Sequence, residues 1–235
     1  MSSLFLTKYR PQKLDDIVGN KEVIDYLKIS AKKGEISNLI FFGETGNGKT
    51  ISAECLIKEI TNDYFILHAY EDRNQNSVKK NISSFSKKKT DDKKIILIDE
   101  IDSLIDTTQS VISTYMEQDD IKFIFTCNRL DNLIESIQNK SIIYNFSKIK
   151  NDEIYIYLET LCKKENIIYD KDGLEALVFS ANGDLRIAVN NLNITYYGYT
   201  QITNTNVFKI CNIPELSLLQ ILVDTLLNKN LEKVI

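Results

Sequence analysis

Residues 43–50 read Gly-Glu-Thr-Gly-Asn-Gly-Lys-Thr, the full G-x-x-x-x-G-K-[ST] spacing of a phosphate-binding loop. Gly43, Gly46 and Gly48 let backbone N–H groups close around phosphate oxygens without a Cβ in the way. A helix after the loop would present its positive N-terminus to the same anion. Lys49 is placed to reach the terminal phosphates and Thr50 to help hold Mg²⁺, with Glu44, Thr45, Asn47 and Ile51 completing the nucleotide-binding stretch. A second cluster, Ile95-Ile96-Leu97-Ile98-Asp99-Glu100, carries four apolar residues into two adjacent carboxylates. Alone, such a pair reads as a solvated turn. With the loop upstream it reads as the other half of a nucleoside triphosphatase site, Asp99 holding hydrated Mg²⁺ and Glu100 activating a water against the γ-phosphate.

That chemistry requires a strand into each motif and a helix out of the loop. Short apolar runs recur at Leu39 to Phe42, Phe65 to Ala69, Ile95 to Ile98, Phe123 to Thr126 and Ile142 to Phe146. They read as strands covered on both faces, hence a mainly parallel sheet in an α/β domain. Ala53, Leu56, Ile57 and Ile60 follow the loop at i, i+3, i+4, i+7, one face of a helix. After about Ile149 the pattern turns helical. Asn151-Asp152 can cap a helix to Lys164, Asp172-Gly173 can open one through Ser180 that Gly183 closes, and Asp184 can cap a third whose face is Leu185, Ala188, Val189 and Leu192. A last stripe from Pro214 (Leu216, Leu219, Leu222, Val223, Leu226) is cut short at Ile235.

Over the 235 residues, 43% are hydrophobic and 26% charged, enough for a core and a soluble surface, which excludes disordered, collagenous and disulfide-scaffold classes. A net charge of −4 excludes a general polycation, so any nucleic-acid contact is local. No run approaches a membrane span, and the N-terminus carries no secretory signal. Cys55, Cys127, Cys162 and Cys211 form no Cys-x-x-Cys pair and read as reduced intracellular core residues. The single histidine, His68, lies in an apolar run with no partner at a metal or triad spacing, and is expected to be structural.

Several further motifs, in order, resemble the small subunits of replication factor C, the sliding-clamp loader of the AAA+ class, most closely the eukaryotic ones. Lys8-Tyr9-Arg10-Pro11 and Leu14-Asp15-Asp16-Ile17-Val18-Gly19-Asn20 are similar to the segment that packs near adenine, which implies nucleotide contacts from Tyr9, Arg10 and Val18. Ile98 to Leu104 is similar to the family's Walker B region, Phe125-Thr126-Cys127-Asn128 to its sensor 1 strand, and Gly183-Asp184-Leu185-Arg186 to its sensor 2 motif. The resemblance implies that Asn128 senses the γ-phosphate or places the water, and that Arg186 reaches the γ-phosphate from a helical lid. It implies an AAA+ P-loop core with a five-stranded parallel sheet over residues 1–149, a helical lid over 150–210 and the start of a helical collar, here truncated, over 211–235. The function implied is an ATP- and Mg²⁺-dependent subunit of a nuclear hetero-pentamer that opens a ring-shaped clamp and loads it on primer–template DNA. The alternatives are an ATP-binding subunit with little turnover, or a helicase-loading or initiator protein.

The resemblance also implies contacts made between subunits. Where relatives carry a trans-acting arginine, this chain has Asn139-Lys140-Ser141, so Lys140 is either a weaker catalytic substitute or a plain surface lysine. Ser113-Thr114 stands where two further arginines are common, and Glu44-Thr45 where two prolines are. His68 to Arg73 resembles the stretch before a DNA-tracking helix, which implies a helix from about Gln75 whose Lys79, Lys80 and Ser83, with Asn81, meet the phosphate backbone without reading bases. Seven lysines lie between Lys79 and Lys94, and by composition alone they are a solvated face. Ile112, Tyr115 and Met116 are either a clamp-contact patch or core.

Overall fold

The computed structural model describes residues 4–71, 74–90, 92–211 and 223–224. Arg10–Lys150 form one compact unit; the described residues before Arg10 and from Asn151 onward form another. The collar segment read from Pro214 lies almost wholly outside the described residues, as do Asp72, Arg73 and Asp91.

In the first unit, β1 (Leu39–Phe42), β2 (Tyr64–His68), β3 (Lys94–Asp99), β4 (Ile121–Cys127) and β5 (Ile142–Asn145) make one parallel sheet in the order β2-β3-β4-β1-β5. The 3.6 and 2.0 periodicities of the sequence explain its covering. Alternate strand residues enter opposite cores: Ile40, Ile96, Ile98, Phe123 and Phe125 on one face, Leu39, Phe41, Ile95, Leu97 and Ile124 on the other. The first core is closed by α4 (Gln75–Ser86) through Val78 and Ile82, and by α5 (Asp106–Tyr115) through Ile112. The second is closed by α2 (Lys21–Lys33) through Ile24 and Leu27, and by α3 (Lys49–Ile60) through Ala53, Leu56 and Ile57. Each buried Leu, Ile or Phe contributes about 1.5–3 kcal/mol of apolar transfer free energy, so the sheet centre is the stable part of the unit.

One expectation about strands changes, and one open alternative is decided. The expected cover on both faces fails at the sheet edge: β5 leaves Ile142 and Ile143 exposed, because it pairs on one side only. Ile112 and Met116 are buried in the core under α5, with Tyr115 packed half-buried against it, so they form no exposed clamp patch.

The second unit holds α1 (Phe5–Lys8), α7 (Asn151–Glu165), α8 (Lys171–Ala181), α9 (Leu185–Tyr199) and α10 (Asn204–Cys211), with the strands β6 (Ile168–Tyr169) and β7 (Gln201–Ile202) paired in parallel. The short α6 (Glu135–Gln138) belongs to the first unit. Helix α8 starts two residues earlier than the Asp172-Gly173 signal, since it is Asp170 whose side chain accepts from the Gly173 N–H at 2.6 Å. Asn182, left-handed at φ 47°, ends it just before Gly183. Asp184 caps α9 as read, accepting from the N–H groups of Arg186 (2.8 Å) and Ile187 (3.1 Å). Phe5 is buried in this unit and its ring stacks on Tyr196 at 6.1 Å.

Candidate nucleotide site

Strand β1 stops at Phe42 because Gly43 takes φ 152°, and a Cβ there would lie 2.2 Å from the Phe146 carbonyl oxygen. Only glycine admits that approach. The loop continues through left-handed Gly46 and Gly48 and delivers the chain to α3, of which Gly48 is the N-cap. The loop is laced to the chain leaving β5. The buried Asn47 amide donates to Phe146 O (3.1 Å), and Asn20 donates to Asn47 O (3.4 Å) and Ser147 O (3.1 Å) while accepting from Ser147 N–H (2.8 Å). These bonds fix the loop's shape with groups of the chain itself, which lowers the ordering entropy that binding a phosphate would cost.

The carboxyl ends of β1, β4 and β3 are neighbours in the sheet, and the expected site residues converge there. The Lys49 ammonium, buried, donates to Gly43 O (2.8 Å), Glu44 O (2.7 Å) and Asn128 Oδ1 (2.9 Å). Asn128 follows the last residue of β4, and β4 pairs with β1 (Phe42 opposite Cys127), which sets Asn128 beside the loop. Asp99 ends β3, and its Oδ1 accepts from Thr50 Oγ1 (2.7 Å) and Thr126 Oγ1 (2.5 Å). Glu100 is exposed and left-handed at φ 58°, with its N–H donating to Thr126 Oγ1 at 2.9 Å. Asp102 Oδ2 accepts from the N–H groups of Asn128 and Arg129, each at 3.0 Å, and so fixes the turn that carries Asn128.

Thr126, Asp102 and Asn20 were not singled out from sequence, because their roles depend on which strands and loops are neighbours. His68, expected to be structural, has a half-exposed side chain whose Nδ1 stands 3.6 Å from Asp99 Oδ2, because β2 pairs β3 with His68 opposite Asp99. Cys127, by contrast, is a core residue as read; burial pushes its thiol up to about 12, so it is no nucleophile. Burial acts likewise on Cys55 (to about 11) and Cys162 (to about 12).

The charge departures resolve locally. Glu44 points to an exposed pair with Lys148 at 3.2 Å, which draws its charge off the loop. Lys140 is held within its own unit: Nζ donates to Ser113 O (3.1 Å) and Ser113 Oγ (3.4 Å) and pairs with Glu117 (2.9 Å). Arg10 pairs with Glu54 of α3 at 2.6 Å, and Val18 lies half-buried just before the left-handed Gly19-Asn20 turn. Tyr9 and Arg186 belong to the second unit. There Tyr9 donates to Glu165 at 2.6 Å, and Lys8 and Tyr9 together hold the Glu165 carboxyl below its usual range. Arg186 is exposed on the first turn of α9.

Helix α4 begins at Gln75, with Asn74 as its N-cap. Lys79 and Lys80 are exposed, away from buried Val78 and Ile82, and Ser83 is half-buried. The lysine run after it is not one solvated face: Lys94 is buried against Ser86 O, Lys88 pairs with Asp63 at 2.6 Å, and Lys93 donates to Gly34 O. Ser86, Lys87, Lys88, Lys89, Thr90 and Lys94 line a shallow open cleft.

Residues 39–147 match the family described as ATPase family associated with various cellular activities (AAA). Replication factor C subunit 4 of Saccharomyces cerevisiae is 38% identical over 221 residues, which cover 89% of this chain and 68% of the relative. The chain belongs to the replication factor C small-subunit family. The putative replication factor C small subunit R395 of Acanthamoeba polyphaga mimivirus, another member, is 34% identical across 97% of this chain and 75% of its own length. The replication factor C small subunit of Methanothermobacter thermautotrophicus is 34% identical across 89% and 68%. This member thus spans about two thirds to three quarters of these relatives. Its fold is that of the AAA ATPases: the Thermotoga maritima RuvB Holliday junction branch migration motor superposes with a TM-score of 0.72 at 16% identity, over 87% of this chain and 72% of that one. Membership of an ATPase family implies nucleotide binding.

Proposed function

We propose that this chain is an ATP-hydrolysing subunit of a multisubunit clamp loader acting in DNA replication. In that assembly ATP binding opens a ring-shaped clamp, and hydrolysis releases it on primer–template DNA. The observation that carries this is the joined array at the ends of β1, β3 and β4, with Lys49 on Asn128 and with Thr50, Asp99 and the Glu100 backbone linked through one carboxylate and one hydroxyl. This is the half of a hydrolytic site that a single chain supplies.

The residue roles follow from chemistry. Lys49 exchanges carbonyl partners for phosphate oxygens, a charge-assisted contact. Thr50 gives its proton to Asp99, which leaves its oxygen lone pairs for a cation; Thr50 and Asp99 are hard oxygen donors of the kind Mg²⁺ takes while keeping several waters. Bound there, Mg²⁺ would offset charge on the phosphate oxygens. Glu100 accepts the proton of the attacking water, Asn128 orients the water or the γ-phosphate, and Arg186 supplies a cation from the helical lid. Gly43 to Ile51 cradle the phosphates, and Tyr9, Arg10 and Val18 serve the base end. Lys79 and Lys80, with Ser83, meet the DNA backbone. The workplace is the nucleus. Among the described residues no helix is long and apolar enough to cross a membrane.

Of the two parts left open for Lys140, we assign it the non-catalytic one. Its ammonium already donates to three acceptor atoms on and after α5, two of them on Ser113 and one on Glu117, so the two departures from the family pattern form a single tie within the chain. In the assembled complex Lys140→Ala should lower ATP turnover by less than about twofold, measured at steady state. A finger acting in trans is worth about 10³–10⁵, and a loss approaching that size at a neighbouring site would return Lys140 to catalysis.

The test of the whole reading is the native mass of the complex recovered with a tagged copy of this chain in ATP. Four sibling AAA subunits in the complex support it. Recovery as a lone monomer overturns it.

A further inference from the structure

We propose that Thr126 is a positioning residue for hydrolysis, holding Asp99 and Glu100 in their working arrangement through a single hydroxyl. The inference rests on the reading of this chain as an ATPase and assigns a role to a residue outside the loop and the acidic pair.

The placement follows from strand pairing. Strand β4 lies between β3 and β1, with Phe125 opposite Ile98 and Thr126 opposite Phe41. The next step along the β3 ladder sets Thr126 level with Asp99. Alternation puts both on the sheet face that carries α3: Ile95, Leu97 and Ile124, each two residues apart from the next in its strand, pack into the core under that helix. Thr50, at the start of α3, meets Asp99 from the same side.

Thr126 is 1% exposed, so its hydroxyl must be satisfied by protein groups. A hydroxyl has one proton to give and lone pairs to receive with. The Glu100 N–H can only donate, so the Thr126 oxygen accepts it, at 2.9 Å. The hydroxyl proton therefore goes to Asp99 Oδ1, at 2.5 Å. This directionality makes Asp99 Oδ1 the acceptor.

The second bond matters for Glu100. A left-handed glutamate is strained relative to the ordinary regions, and such a residue persists only where its surroundings fix it. The bond from its N–H to Thr126 is a fixing contact, and the backbone conformation sets the direction in which the glutamate side chain leaves the strand end. Without the hydroxyl, the Glu100 N–H loses its partner, and Asp99 keeps only Thr50 on Oδ1 and His68 facing Oδ2, so both carboxylates are held less firmly. The loop, Lys49 and Asn128 keep every bond described above.

The experiment uses the assembled complex and reads the share of ATP turnover that Glu100→Gln removes, so that only this chain's site is scored. Thr126→Val keeps the branched shape and the β-strand preference while deleting the hydroxyl. It should lower kcat at this site by about 10–100-fold, in line with the cost of a misplacement near 1 Å. The KM for ATP should stay within about twofold, and the Mg²⁺ concentration at half-maximal rate should rise several-fold. Thr126→Ser, which restores the hydroxyl, should return kcat to within about threefold of the parent. Should Thr126→Val fail to assemble, Thr126→Ala against Thr126→Ser makes the same comparison of hydroxyl lost and kept. A merely structural threonine would shift thermal stability in Val, Ala and Ser alike without separating kcat from KM or moving the Mg²⁺ dependence. Unchanged kcat in the hydroxyl-free variants, with Glu100→Gln inactive, overturns this inference alone. Glu100→Gln without effect overturns the hydrolysis reading and this inference with it.

Discussion

Glu100→Gln is expected to abolish turnover at this chain's site, by about 10²–10⁴-fold, while ATP stays bound. Glutamine matches glutamate in size and keeps the backbone N–H that donates to Thr126, so the left-handed turn after β3 is preserved. What is lost is a carboxylate able to take a proton from water, and general-base catalysis is worth about that range. Lys49, Thr50 and Asp99 are untouched, so affinity should change by less than about threefold. Single-turnover hydrolysis of labelled ATP beside an equilibrium titration separates the two quantities. Turnover equal to the parent would show that the acidic pair is the solvated turn it could be by sequence alone.

Lys49→Met is expected to act one step earlier and weaken nucleotide binding itself by about 10–100-fold. The substitution keeps an unbranched apolar stem in a buried channel but removes an ammonium that three acceptors share: Gly43 O, Glu44 O and Asn128 Oδ1. In the bound state that ammonium faces phosphate, and a hydrogen bond to a charged group contributes about 1.5–3 kcal/mol. Asn128 loses its tether at the same time, so any ATP that binds should be hydrolysed below detection. A fluorescent nucleotide titration of the assembled complex checks the first effect. Affinity within twofold of the parent would mean that Lys49 stays on the loop carbonyls and does not reach phosphate.

Local patterns in the sequence go far in this protein because its motifs are contiguous. Leu39 to Phe42 is β1 to the residue and the Asp184 cap stands where the sequence puts it, while α4 starts at Gln75 as the family resemblance implied. The loop could be read because phosphate binding is done by consecutive backbone groups. Everything that depends on strand order escaped such reading. That β4 inserts between β3 and β1 decides that Asn128 meets Lys49 and that Thr126 joins Asp99 to Glu100. The pairing of β2 with β3 likewise brings His68 to Asp99, which apolar neighbours in sequence had disguised. An exposed stripe and a buried one have the same period on a helix, so Ile112 and Met116 could be placed in the core only once the sheet above them was known. Lys140 and Ser113, 27 residues apart, show the same limit, since two separate departures proved to be one contact.

The measurement that bears most directly on the account is clamp loading itself. Clamps retained on a primed circular DNA would be counted after incubation with the complete complex and ATP, and with the same complex lacking this chain. The account predicts retained clamps only when both the chain and ATP are present, and none when Lys49→Met replaces the parent. Equal loading with the chain omitted would contradict it.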